Sequence, residues 1–222
     1  MFKSVTLYTN QLKTLQRFYM NIMELPLSER SEESFTVRVG ESLLTFHQTD
    51  VPAFYHFAFN IPGNQFSLIK SWIKNKIPLN REGGRDEVYF ENFDADSIYF
   101  EDPAGNVIEL VGRRYRDLFG APSPESFLNI SEVSITTYDM TRVGEMIQDL
   151  GIPLWRSTEI KPYALNFLGR DDTFIVLVPP GRKWYFSEQI SEVFPIEMSL
   201  TNNYHIKVDQ EGFLKWSKLT NN

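Results

Sequence analysis

Apolar and polar positions fall into two alternating rhythms along the chain, and their order repeats. Val5 and Leu7 alternate with Ser4, Thr6 and Tyr8, the period-two pattern of a half-buried strand. Leu12, Leu15, Phe18, Tyr19 and Ile22 then recur at helical spacing. Short strand patterns follow at 27–30, 35–39 and 42–47, with Gly40-Glu41 as a turn. The next stretch repeats this order. A strand at 54–61 precedes a helical face of Phe66, Ile69, Trp72 and Ile73. Weak strand signals lie at 77–79 and 87–90, and strong ones at 97–101 and 106–111. Asp102-Pro103-Ala104-Gly105-Asn106 predicts a hairpin between the strong pair, because proline presets φ, glycine accepts positive φ and Asp or Asn bonds the backbone. A third copy begins with Glu132, Val133, Ser134 and Ile135, and its helix carries Val143, Met146, Ile147 and Leu150 and stops at Gly151. Strand patterns at 154–156, 163–168 and 173–178 complete it.

Tyr204-His205-Ile206-Lys207-Val208 echoes Tyr55-His56-Phe57-Ala58-Phe59 and predicts the first strand of a fourth copy, with a short helix around Phe213 and Trp216. That copy is expected to lack its closing strands, for which 185–200, and 195–200 best of all, is a substitute. The fold class is therefore α+β: tandem βαβββ modules, three complete and the fourth truncated. Residues 1–112 read as one domain of two modules, 113–129 as a linker around Ala121-Pro122-Ser123-Pro124, and 130–222 as a second, incomplete domain of the same type.

Alternation also assigns faces. If Phe57, Phe59 and Ile61 pack under the helices, then His56, Ala58 and Asn60 face the other way. By the same phase Ser4, Thr6 and Tyr8, then Thr45 and His47, then Glu109, turn to that second face. A one-residue slip would bury the polar set, so the phase is well specified.

Composition narrows the chemistry. The 222 residues are 42% hydrophobic and 14% aromatic, which is globular, and no cysteine is present to form a disulfide or a thiolate metal site. A net charge of −7 argues against a nucleic-acid partner, whose phosphates require neutralising. No apolar run approaches the roughly 20 residues of a membrane span, so no membrane partner is expected. Met1-Phe2-Lys3-Ser4 opens no signal peptide, so a cytoplasmic protein is expected.

The paired strand–helix–meander units, with Leu7-Tyr8 and Phe18-Tyr19 in the first, Tyr55-His56-Phe57-Ala58-Phe59 opening the second and the string from Ser97 to Leu110 closing it, resemble the vicinal oxygen chelate superfamily. That superfamily includes glyoxalase I, bleomycin- and fosfomycin-resistance proteins and extradiol ring-cleaving dioxygenases. The resemblance implies a curved sheet with helices outside and chemistry on its hollow side. It implies a cleft within 1–112 where His56 and Glu109 are metal ligands, for a divalent ion such as Fe, Zn, Mn or Ni. The two remaining ligand positions fall on Ser4 and Thr45, which leaves the triad incomplete. His47 would then complete a two-histidine, one-carboxylate set with His56 and Glu109. Glu132 and His205 occupy the corresponding first-strand positions of the third and fourth units, where a second metal site is not expected.

Glu109 and Tyr99 are the catalytic candidates, and Tyr8, Asn60 and His47 the substrate-binding ones. Arg113, Arg114 and Arg116 read as a solvated linker face with anion binding at the cleft mouth as the functional alternative, and the charged stretch 81–87 as an exposed loop with a lid as its functional alternative. The implied function is binding of a small organic molecule, with metal-dependent lyase or ring-cleaving dioxygenase activity. The alternative is a metal-free protein that sequesters a drug or metabolite, as in the bleomycin-resistance branch. Whether the two halves pair within one chain or across a homodimer stays open at this level.

Overall fold

The computed structural model describes residues 1–219. The first unit runs β1 (Phe2–Thr9), α1 (Leu12–Arg17), β2 (Leu27–Arg30), β3 (Ser34–Val39) and β4 (Ser42–Gln48). The second runs β5 (His56–Pro62), α2 (Phe66–Lys74), β6 (Val88–Phe90), β7 (Ala95–Glu101) and β8 (Val107–Arg113). The third runs β9 (Asn129–Thr136), α3 (Met140–Asp149), β10 (Asn166–Arg170) and β11 (Thr173–Val178), its remaining strand reduced to a single bridge between Leu154 and Leu168. The fourth is β12 (Ile196–Leu200), β13 (Tyr204–Val208) and β14 (Leu214–Lys218), with no helix among its described residues.

Each helix forms where apolar residues recur every three or four positions, and each buries that stripe: Leu12 and Leu15 in α1, Phe66, Ile69 and Ile73 in α2, Met140, Val143 and Ile147 in α3. Asp139 caps α3 by accepting from the Arg142 amide, and Gly151, at φ 79°, stands just beyond it. The predicted hairpin closes as its sequence requires. The Asp102 carboxylate accepts from the Ala104 and Asn106 amides, and Gly105 sits at φ 85°.

The units pair by a rule that local patterns do not contain. Sheet 1 has the order β14-β13-β12-β1-β4-β3-β2, and sheet 2 the order β10-β11-β9-β5-β8-β7-β6. The first and fourth units thus share one sheet through an antiparallel β1–β12 pair, and the second and third share the other through β5–β9. One apolar core, including Val5, Leu7, Phe46, Phe57, Phe59 and Leu110, joins both sheets to the helices. Tyr55 also ties them together: its hydroxyl donates to the Pro195 carbonyl and accepts from the Tyr8 amide.

Three expectations are corrected here. The cleft is not contained within 1–112, because the partner of the second unit is the third. The position beside β1 belongs to Ile196–Leu200 and not to Tyr204–Val208, so Glu197 stands opposite Thr6 where His205 was expected to supply the first-strand group. Phe213 and Trp216 do not open a helix. The Asp209-Gln210-Glu211-Gly212 turn folds β14 back along β13, burying Leu214 and pairing Trp216 with Ile206. A short helix there would gain too few hydrogen bonds to offset its nucleation. Among the described residues no helix is long and apolar enough to cross a membrane.

Candidate metal centre and cavity

The register of sheet 2 builds the site. Ala58 on β5 pairs with Glu109 on β8 and with Glu132 on β9, so the two carboxylates flank one small residue on the same face. His56 lies two residues back on β5, on that face. One donor atom from each of His56, Glu109 and Glu132 lies within 4.8 Å of the others, and all three residues are buried. His56 Nε2 stands 3.5 Å from Glu109 Oε2.

The histidine is held in one protonation form. Its Nδ1 lies 3.1 Å from the Val107 carbonyl, which only accepts, so Nδ1 carries the proton. Burial, with the Arg182 charge adding to it, pushes its pKa down to about 4, against the pull of that carbonyl. The ring is therefore neutral at pH 7, and Nε2 turns a lone pair toward two carboxylates. Burial raises the pKa of both carboxyls. Glu132 rises to about 8, with the Glu109 charge beside it adding to burial and Arg113 opposing.

Arg113 is the counter-charge. Its side chain is buried, with Nη2 3.7 Å from Glu132 Oε1. Nε donates to Asn60 Oδ1, and Nη2 donates to Ser131 Oγ and the Asp172 carbonyl. Asn60 is itself fixed by donating to Asn129 Oδ1 and the Asp172 carbonyl. The expectation of a solvated arginine is corrected, because β8 continues through residue 113 and carries it inside. Arg114 pairs with Asp96 and Arg116 with Asp172, both nearer the surface.

A cavity of about 280 Å³ opens beside the three donors. Phe93 and Phe167 form one side, with Trp155 stacked behind Phe93 at 4.3 Å. Tyr99, Trp184 and Tyr185 contribute aromatic surface elsewhere in the lining. Trp184 and Tyr185 come from a strap, residues 179–195, between β11 and β12. Trp184 lies 4.7 Å from the His56 ring, and Phe186 stacks on Tyr99 at 5.2 Å.

The candidates read from the sequence therefore separate. His56, Glu109 and Tyr99 come together in this cavity, while Asn60 sits behind it as a support for Arg113. Tyr8 and His47 lie on sheet 1, where Tyr8 donates to Glu197, so neither shares the cavity. The two-histidine set with His47 is corrected to one histidine and two carboxylates. Ser4 and Thr45 are also on sheet 1, on strands apart from these three donors. Glu132 completes the donors because pairing across units brings β9 to β5. Its inward phase on the first strand of the third unit is the signal that could have found it. The strap carries no periodic pattern, and nothing in its sequence marks its residues as part of a site. The 81–87 loop does not cover the cavity itself, but its Glu82 accepts from the Phe186 amide and so holds the strap.

The sequence profile of a family described as toxoflavin-degrading enzyme matches residues 130–182. In a search of the curated proteins no sequence matches this chain. Among solved structures, a V278E mutant of glyoxalase I from Zea mays superposes with TM-score 0.58 at 14% identity, over 98% of this chain and 92% of that one. A putative dioxygenase from Bacillus subtilis gives TM-score 0.58 at 13% identity, over 80% of this chain and 63% of that one. A lactoylglutathione lyase from Agrobacterium tumefaciens matches 50% of this chain and 92% of its own length at 18% identity, with TM-score 0.43.

Proposed function

We propose that this chain, which has the glyoxalase/dioxygenase fold of the vicinal oxygen chelate superfamily, is a divalent-metal-dependent enzyme acting on a small organic molecule. His56, Glu109 and Glu132 are the metal ligands, and the adjoining cavity is the substrate site. One observation carries the reading: three buried acceptors converge, and the guanidinium of Arg113 is the only cation paired with them among the described residues. Acceptors in contact repel unless a proton or a cation lies between them. An imidazole with its Nδ1 proton pinned to a backbone carbonyl is the form that binds metals, and that second contact sets the ring's direction. Two carboxylates and one imidazole suit Mn²⁺ or Fe²⁺ among the candidate ions.

When bound, the ion would supply Lewis-acid stabilisation of an oxyanion, the property shared by lyase and ring-cleaving chemistry. The protein's own groups do the rest. Arg113 opposes the rise in the Glu132 pKa and holds that carboxyl in place, the aromatic walls exclude water, and Tyr99, which pairs with Glu109 across β7 and β8, orients that carboxylate.

Metal content after loading with Mn²⁺ and dialysis tests this. The expected result is one equivalent in the wild type and a fall in affinity of at least ~100-fold in His56→Ala and Glu132→Gln. His47→Ala should retain the metal. A wild type that holds no metal, and is stabilised against heat by aromatic ligands alone, would establish the sequestration reading instead.

A further inference from the structure

Arg182 is the odd cation of the cavity. It lines the same space as His56 and Glu132, yet its Nε is shielded from water and has no hydrogen-bond partner. Among the described residues its side chain makes neither an ion pair nor a hydrogen bond. Arg113, in the same lining, has three hydrogen-bond acceptors and a carboxylate. A shielded, unpartnered guanidinium N–H is costly, and folded proteins rarely keep one without use.

The strap leaves Arg182 little freedom. Its amide donates to Ser191 Oγ and its carbonyl accepts from the Ser191 amide. Ser191 Oγ in turn donates to the Pro179 carbonyl. Two residues on, Trp184 is bonded to Gln189 and lies against His56, and Ser187 is anchored on Glu101. Backbone and neighbours therefore aim this side chain at the cavity, where nothing in the protein receives it.

Charge points to what does. With a divalent ion in place and His56 neutral, Glu109 and Glu132 balance the ion. Arg113 and Arg182 then leave two positive charges in the cavity lining. A neutral ligand would leave them uncompensated, whereas an anion would satisfy the idle donor and reduce the excess.

Resting on the metal-dependent reading above, we propose that Arg182 is the substrate-recognition residue of this site. Its guanidinium takes a negatively charged oxygen of a flat ligand, a carboxylate, phenolate or enolate, whose ring lies against the aromatic walls. The strap is then part of the binding site and not merely a connection.

Benzoate and benzamide form a matched probe pair, equal in shape and differing in charge. Calorimetric titration of Mn²⁺-loaded wild type should show benzoate binding at least about tenfold more tightly than benzamide. Arg182→Met should remove that preference without weakening benzamide, and Arg182→Lys should restore part of it. Arg182→Met should keep its metal and should unfold at the same temperature as the wild type or higher, because the change removes a shielded Nε–H that has no partner. A merely structural arginine would destabilise the protein when removed.

Equal binding of the two probes by the wild type would overturn the proposal. So would a benzoate preference that persists in Arg182→Met. The same titrations on chelator-treated protein separate the two readings. If the wild type holds no metal but Arg182 still carries the preference, the metal assignment fails and the recognition role stands.

Discussion

Ala58 in sheet 2 and Thr6 in sheet 1 hold the same place in two related sheets. Each lies on the first strand of its unit, between a parallel neighbour from its own unit and an antiparallel one from the partner unit. Around Ala58 the neighbours are Glu109 and Glu132, with His56 two residues back. Around Thr6 they are Thr45 and Glu197, with Ser4 two residues back. The framework is duplicated and the chemistry is not. Thr45 is hydrogen-bonded to Thr36. Glu197 is already satisfied, accepting from Tyr8 at 2.7 Å and lying 2.7 Å from Lys207 and 3.3 Å from His205. An ammonium group stands in sheet 1 beside the carboxylate that corresponds to Glu132. The strap covers only sheet 2, and the corresponding face of sheet 1 stays half-exposed. Each carboxylate has a cation beside it, Arg113 at Glu132 and Lys207 at Glu197; what sheet 2 adds is a second carboxylate, an imidazole two residues back on the first strand, and a cover.

The largest expected effect comes from breaking the charge balance of sheet 2. Arg113→Met leaves Glu132 without its counter-charge and Asn60 Oδ1 without its donor, and should cost about 3–5 kcal/mol in urea unfolding. Next comes an attempt to erase the difference. Ser4→His and Thr45→Glu, combined with Thr6→Ala and Lys207→Gln, copy the donors of sheet 2 onto sheet 1. Such a variant should take up a second equivalent of Mn²⁺, more weakly than the first because that face lacks a strap. If it takes up none, the strap matters more than the donors.

Glu197→Gln should change stability by about 1 kcal/mol or less, because its partners are partly exposed, and should leave metal content unaltered. The same exchange at Glu132 should abolish binding. The smallest effect concerns the loop that steadies the strap. Hydrogen bonds from Lys70 and Lys74 hold the pKa of Asp86 down to about 2. A depressed carboxyl pKa stabilises the fold above its unfolded value near 4, and that contribution is lost as pH falls toward 2. Water screens the pair, so Asp86→Asn should cost only about 0.5 kcal/mol at pH 7, and the gap should close at pH 2–3 in thermal melts.

Much of this was legible in the residues because it is local. Alternation placed His56, Ala58 and Glu109 on one face, and the Asp102–Asn106 turn was readable from its side chains. The same local reading failed at Phe213–Trp216, where two aromatics suit a helix or a strand and only the pairing of β14 with β13 decides. It also failed at Arg113, whose burial depends on where β8 ends and what Asn60 and Ser131 offer it.

Sequence by itself determined the repeating unit, the phase of β1, β4, β5 and β8 and two of the three converging donors, because strand and helix periods are properties of the backbone. Only the tertiary structure decided which unit sits beside which. That choice brought Glu132 to His56 and Glu109, sent Tyr8 and His47 to a separate sheet, and laid Arg182 into the cavity. Strand pairing depends on edges and packed faces contributed by segments far apart in the chain, and no window along the sequence contains both partners.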